Sequence, residues 1–240
     1  MSSSNPTVVL VHGAFADGSS WAPVVARLRA QGIDALAVAN PLRGLAHDGD
    51  YVAGVVNQID GPVVLVGHSY GGPVITHAGS KAANTKALVF VAAFGIDQGD
   101  SALGSVEGFP PVELGTSLVP RQYPLDEGAD TEFFIDQEKF AGVFAADLPA
   151  EVTATLAVSQ RPIAQGALGE PLGVEPAWRT LPSWFAVATA DHAIDPDSQR
   201  AAAKRLGATT VEVDGGSHAI AVSRPDEVTA LIVEAVRSLS

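Results

Sequence analysis

The segment VVLVGHSYGGPV, residues 63–74, constrains this chain more than any other. Its apolar start reads as a strand buried on both faces. The run ends at Gly67, and from Gly71 the residues take helical spacing. Between them stand His68, Ser69 and Tyr70. A strand that turns straight into a helix here has no room for a Cβ at Gly67 or Gly71, and the turn presents the hydroxyl of Ser69. G-x-S-x-G between a strand and a helix is the pattern of a nucleophile elbow. The following helix offers free N–H groups and positive potential at its N-terminus, so an oxyanion near Ser69 would meet the N–H of Tyr70.

A serine hydroxyl is a poor nucleophile at neutral pH and needs a base. Six histidines are available. His12 ends the first strand run, and His68 lies inside the elbow. His47 and His77 have no motif around them, and packing or solvent exposure accounts for both. His192 stands beside an acid and is a candidate pocket residue. His218 differs, because VDGGSHAI places it between the last strand run and the last helix, on a loop freed by two glycines. It is the expected base. The base needs an orienting carboxylate. Asp191, in ATADHAI, falls just after a strand run, where sites gather in open parallel sheets. Asp195 precedes Pro196 and reads better as a helix N-cap. Asp97 and Asp214 are further rivals.

A tetrahedral intermediate also needs N–H donors for its oxygen. HGAFADGSSW follows the first strand run, and the N–H of Ala14 is the expected second donor beside Tyr70, with Phe15 as its rival. The loop is rich in glycine but lacks GxxxxGK[ST], so no nucleotide site is read there. No histidine–carboxylate spacing suggests a metal. The chain has no cysteine, which excludes disulfides and thiolate catalysis.

Apolar runs at 7–12, 33–39, 62–67, 86–93, 183–189 and 208–215 alternate with helical patterns at 19–32, 71–83, 195–207 and 224–239. This alternation predicts an α/β fold with a parallel sheet and helices on both faces. From about residue 95 to 181 the rhythm breaks. FPPVELG, LVPRQYPLD and GEPLGVEP read as loops, while TEFFIDQEKFAGVFAADLP and PAEVTATLAVSQRP read as helices. The expected organisation is a core of 1–94 and 182–240 with a helical cap, 95–181, inserted after the fourth strand. Phe133, Phe134, Phe140 and Phe144 form an apolar stripe on that cap. With Phe15, Phe94 and His192, Phe134 and Phe144 are the expected pocket residues.

The 240 residues suffice for one sizeable core. Apolar residues make up 47% and charged residues 17%, which excludes a disordered chain. The net charge of −13 opposes binding to nucleic acid or to an anionic membrane surface. No apolar run reaches the roughly 18 residues of a membrane span. MSSSNPTVVL lacks the features of a signal peptide, so a cytoplasmic location is expected. A homodimer is compatible with the sequence.

With these motifs assembled, VLVHGAFADGSSW, LVGHSYGGPVI, ATADHAI and GGSHAIAVSRPDEV resemble a group of small bacterial α/β-hydrolases. That group is similar to the plant methyl-ester hydrolases and α-hydroxynitrile lyases. The likeness spans nearly the whole chain, including FAADLPAE and SQRPIA. It implies an α/β-hydrolase fold of about six parallel strands, because the chain begins at the family's third strand. It also implies a Ser-Asp-His triad on Ser69, Asp191 and His218 that needs no cofactor. The related lyases carry a threonine at the position of Gly13 and a lysine at that of Ala219, and the lysine holds the cyanide charge. Without that lysine, cyanohydrin cleavage by that route is not expected. The expected reaction is hydrolysis of a carboxylic ester, the cap phenylalanines favouring small or medium apolar substrates, with other serine–histidine chemistry (a lyase, an amidase or perhydrolysis) or a ligand-binding sensor as the alternatives. A serine rather than an aspartate at position 69 argues against dehalogenase and epoxide-hydrolase chemistry.

Overall fold

The structure, a computed structural model, describes residues 6–239. In chain order the core begins with β1 (Thr7–Val11), α1 (Ala22–Ala30), β2 (Ala35–Val38), α2 (Leu45–Val56), β3 (Val63–His68), α3 (Gly71–Lys81) and β4 (Thr85–Val91). An insertion follows, containing β5 (Leu118–Pro124), β6 (Ala129–Ile135), α4 (Phe140–Phe144), α5 (Ala150–Val158), β7 (Ile163–Ala164) and α6 (Gln165–Gly169). The core resumes with β8 (Ser183–Ala188), α7 (Pro196–Arg205), β9 (Thr209–Val213), α8 (Ile220–Ser223) and α9 (Pro225–Arg237). No helix among the described residues is long and apolar enough to cross a membrane.

The six core strands form one parallel sheet in the order β2-β1-β3-β4-β8-β9. β3 and β8 are buried along their whole length, as their largely apolar, non-alternating sequences lead one to expect. Successive side chains still divide between two faces. Val8, Leu10, Val64 and Val66 pack with Leu28 of α1 and Ile232 of α9. Val9, Val11, Leu65 and Phe90 pack with Val52 of α2 and Ile75 of α3. Each fully buried aliphatic side chain contributes roughly 1.5–3 kcal/mol. The chain leaves β1 for one edge and returns to β3 on its other side. The crevice beyond the strand ends at β1 and β3 is therefore the topological switch point, where such sheets bind ligands.

The insertion differs from the helical cap expected from sequence. LVPRQYPLD is a strand rather than a loop, and TEFFI is a strand rather than the start of a helix. β5 and β6 pair antiparallel, with β7 on the far side of β6. The reversal closes through Leu125 N–H on Gly128 O at 3.2 Å, with Gly128 at φ 84°. Pro120 and Pro124 are tolerated because β5 is an edge strand with one row of amides unpaired. Strand geometry also splits the predicted phenylalanine stripe. Phe133 packs on the core, whereas Phe134 lies under Arg121, 4.7 Å from its ring centre. Phe140 and Phe144 do share a face, on α4, and stack at 5.1 Å.

Three of the contacts that tie the insertion to the core reach the segments after β1 and β2. The Glu170 carboxylate accepts the N–H groups of Leu45 at 2.6 Å and Ala46 at 3.3 Å, capping α2 where Gly44 has no side chain to do so. Ala164 N–H donates to Leu42 O at 2.9 Å. Phe15 N–H donates to Arg161 O at 2.9 Å, which anchors the loop after β1.

Candidate active site

Ser69 sits where β3 ends and α3 begins, with φ at +54°. This left-handed conformation costs a non-glycine residue roughly 1–2 kcal/mol, and crowding around the turn enforces it. A Cβ at Gly67 would collide with the carbonyl of Gly71, and one at Gly71 would come within 2.5 Å of Val11 O. Ser69 O accepts the N–H groups of Gly72 at 3.0 Å and Phe94 at 3.3 Å, and Ser69 N–H donates to Val91 O at 3.2 Å, so the main chain of the strained residue itself is satisfied. Position 13 is equally tight, since a Cβ there would lie 2.6 Å from Ser69 Cβ. The threonine found there in the related lyases would have to displace the serine or the loop.

The loop after β1 is held from below. Asn40 N–H donates to His12 Nε2 at 3.0 Å, and the Asn40 amide donates to His12 O at 3.0 Å. The His12 Nδ1–H therefore points to Gly13 O, 2.8 Å away. Burial keeps His12 below its usual pKa, so this neutral tautomer persists. Because Phe15 N–H is spent on Arg161 O, it is not available to a ligand. The N–H groups of Ala14 and Tyr70 donate to no protein atom among the described residues, and both residues line the cavity at Ser69.

His218 and Asp191 meet across the strand ends. Asp191 Oδ2 accepts His218 Nδ1–H at 2.7 Å, and both side chains are buried. Because a carboxylate can only accept, Nδ1 carries a proton, and the neutral ring has its lone pair on Nε2. Asp191 has three further donors. Ala193 N–H and Ile194 N–H reach Oδ1 at 2.7 and 2.9 Å, and the Gln199 amide reaches Oδ2 at 2.8 Å. Gln199 is fully buried, and its carbonyl accepts Ala188 N–H at 3.0 Å, so its orientation is fixed. The histidine loop is held as well. His68 Nε2–H donates to His218 O at 2.9 Å, and Ser217 Oγ donates to Asp147 of the insertion at 2.5 Å. Burial, reinforced by the nearby His218, holds His68 well below the usual histidine pKa, so it stays neutral.

The rival carboxylates are engaged elsewhere. Asp97 is bidentate to Arg179 at 2.7 and 2.9 Å, and Asp195 caps α7 through the N–H groups of Asp197 and Ser198. Asp214 is exposed at the end of β9. His77 pairs with Asp50, and His47 is exposed.

Ser69, Tyr70, Ala14 and His218 open on a cavity of about 260 Å³. Phe15 and Phe94 line it, as the sequence led one to expect, but Phe134 and His192 do not. Phe134 lies on the outer face of β6, and His192 is half-exposed with Nδ1 on Gly142 O at 2.9 Å. Phe144 packs its edge on the His218 ring at 4.9 Å and borders a separate void of about 20 Å³. The outer wall is built from residues the sequence analysis passed over, among them Leu103, Val106, Phe109 and Leu114. Their only signal in sequence is apolar character inside a proline-rich loop.

One buried acid lies behind the elbow. Asp48 accepts the Tyr70 hydroxyl at 3.0 Å and Arg43 N–H at 3.1 Å. Burial raises its carboxyl above the ordinary 3.8, against the pull of those hydrogen bonds. The folded state thus holds this proton more tightly than the unfolded state. The stability linked to it is complete below that ordinary value and is lost as pH rises through the raised one. Asparagine at 48 cannot titrate. The melting temperature of Asp48→Asn minus that of the wild type is therefore expected to increase between pH 4 and pH 7. A difference that is constant or falls would contradict the raised carboxyl.

Comparison with known proteins agrees with this architecture. The fold matches polyneuridine aldehyde esterase with a TM-score of 0.82 at 20% identity, covering 96% of this chain and 99% of that one. It matches a pyrethroid hydrolase from Sphingobium faniae JZ-2 with a TM-score of 0.79 at 21% identity, covering 97% and 98%. In sequence, a pimeloyl-[acyl-carrier protein] methyl ester esterase of Stenotrophomonas maltophilia is 27% identical, covering 98% of this chain and 94% of that protein. Residues 8–231 match the family described as the alpha/beta hydrolase family, and the chain belongs to that family.

Proposed function

We propose that this chain is a serine hydrolase that cleaves carboxylic esters of small to medium apolar substrates. The observation that carries the reading is the Asp191–His218 pair: it engages Nδ1 and leaves Nε2 as the free ring nitrogen of a residue that lines one cavity with Ser69, Ala14 and Tyr70, the last two with uncommitted N–H groups. In the first half-reaction His218 Nε2 takes the Ser69 proton as Oγ attacks the ester carbonyl. The carbonyl oxygen becomes an oxyanion between the N–H groups of Ala14 and Tyr70, each worth about 3–4 kcal/mol of barrier in sites of this kind. The tetrahedral intermediate collapses, the ester C–O bond breaks, and His218 gives its proton to the leaving alcohol. Water then repeats the sequence on the acyl-serine, which releases the acid and restores Ser69. Asp191 keeps its hydrogen bond to Nδ1 and stabilises the imidazolium.

The ester activities named for the relatives are consistent with this chemistry. A cyanohydrin lyase is disfavoured, because Ala219 supplies no cation beside His218 and Gly13 has no space for a side chain.

The test is covalent. Treatment with a fluorophosphonate should add one phosphonyl group per chain, on the peptide that contains Ser69. Hydrolysis of p-nitrophenyl butyrate should fall in proportion to labelling. Label on a different serine, or hydrolysis that survives complete labelling, would sink the proposal.

A further inference from the structure

We infer that the cavity selects uncharged acyl chains and rejects esters that carry a carboxylate or phosphate at the far end of the acyl group. The inference rests on the esterase reading above and deepens it.

Among the described residues, no lysine or arginine lines the cavity. Apart from Ser69, His218 and Asp195 its wall is aliphatic, aromatic, proline and glycine, and moving an ionised group from water into such surroundings without a partner is strongly unfavourable. Arg205 and Lys139, beside the wall, are already committed. Arg205 donates to Gly95 O at 2.9 Å and pairs with Asp100 at 3.7 Å. Lys139 donates to Thr116 O at 3.2 Å. The charges on the wall segment itself are negative. Glu107 and Glu113 flank its apolar residues and are exposed, and Asp195 lines the cavity directly. The N-terminus of α7 would otherwise attract an anion, but the Asp195 carboxylate already fills it. On the cavity wall itself, positive potential comes from the start of α3, where it faces the reacting oxygen. The field is arranged for the oxyanion and offers nothing to a second negative charge further along the substrate.

Leu103 marks the place where this selectivity can be reversed. It lines the cavity yet is 53% exposed, so a longer charged side chain there can reach both solvent and substrate without disturbing the core.

The experiment compares p-nitrophenyl heptanoate with mono-p-nitrophenyl pimelate at pH 8. The two have the same acyl length and leaving group and differ by one terminal carboxylate. In the wild type, kcat/KM for the pimelate ester is expected to be about 100-fold lower or worse. Leu103→Lys should shift the ratio of the two values at least about tenfold towards the pimelate ester, and 0.5 M salt should shrink that shift. Equal turnover of both esters by the wild type, dependent on Ser69, overturns the charge selectivity and leaves the esterase reading standing. A ratio that Leu103→Lys does not move overturns the assignment of the selectivity to this wall. Hydrolysis of the heptanoate that is absent, or equal in Ser69→Ala, overturns the esterase reading and this inference with it.

Discussion

Ser69→Ala is expected to lower kcat for p-nitrophenyl butyrate by a factor on the order of 10⁵ or more while the protein keeps its fold. The size of the loss follows from the proposed chemistry, in which no other group can form the acyl-enzyme. His218, the Ala14 and Tyr70 N–H groups and the cavity remain in the variant, so any residual rate reports binding and oxyanion stabilisation alone. The fold should survive because the strained turn is enforced by the backbone around it. The main-chain bonds of Ser69 to Val91, Gly72 and Phe94 do not involve its hydroxyl. Alanine at φ +54° bears the same strain as serine. Steady-state kinetics beside thermal denaturation measure both halves. A fall in activity matched by a collapse in melting temperature would mean that the serine is structural.

Asp191→Asn should cost about 10⁴ in kcat, through the proton on His218 rather than through its position. Oδ1 at 191 is held by the N–H groups of Ala193 and Ile194, so asparagine must keep its carbonyl there. Its NH₂ then takes the place of Oδ2 and faces His218 Nδ1. Two donors cannot share that contact. His218 responds by moving its proton to Nε2, and the base that serves Ser69 is lost. The same NH₂ also faces the Gln199 amide, which cannot reverse without abandoning Ala188 N–H. A stability loss of roughly 1–3 kcal/mol should accompany the kinetic defect. Asp97→Asn serves as control, because that carboxylate is bound to Arg179 near the surface. If Asp97→Asn abolishes activity and Asp191→Asn does not, the acid has been misassigned.

What the sequence made legible was local. The elbow announces itself within five residues, because a strand, two glycines and a helix start cannot be adjacent without forcing the turn. The core strands were legible for a similar reason, since burial on both faces leaves unbroken apolar runs. Asp191 and His218 could be nominated because each follows a recognisable strand. Residues whose role depends on distant partners gave no such signal. Gln199 looks like any polar residue of α7 until its amide is found on Asp191, and Asn40 looks like loop until it meets His12. The hairpin of β5 and β6 was misread because two prolines argue against a strand in general, though not against an edge strand. Phe134 was misplaced with it, since helical spacing puts neighbouring phenylalanines on one side and strand spacing puts them on opposite sides. The outer wall of the cavity is loop, and loops carry no period from which a facing direction can be read.

Three of the ties between insertion and core, at Glu170, Ala164 and Arg161, bear on how new specificities can arise here. Glu170 completes the first turn of a core helix, Ala164 satisfies a core carbonyl, and Arg161 tethers the loop that carries Ala14. Specificity and scaffold are therefore not separable modules. A transplanted cap that lacks an acid at 170 leaves two amides of α2 bare. One that does not bring the 161 carbonyl against Phe15 frees that N–H, which in the proposed mechanism would compete with Ala14 for the substrate oxygen. Recombination between relatives would succeed only where those contacts travel with the graft, so diversification by point changes in the outer wall is the easier route for this chain.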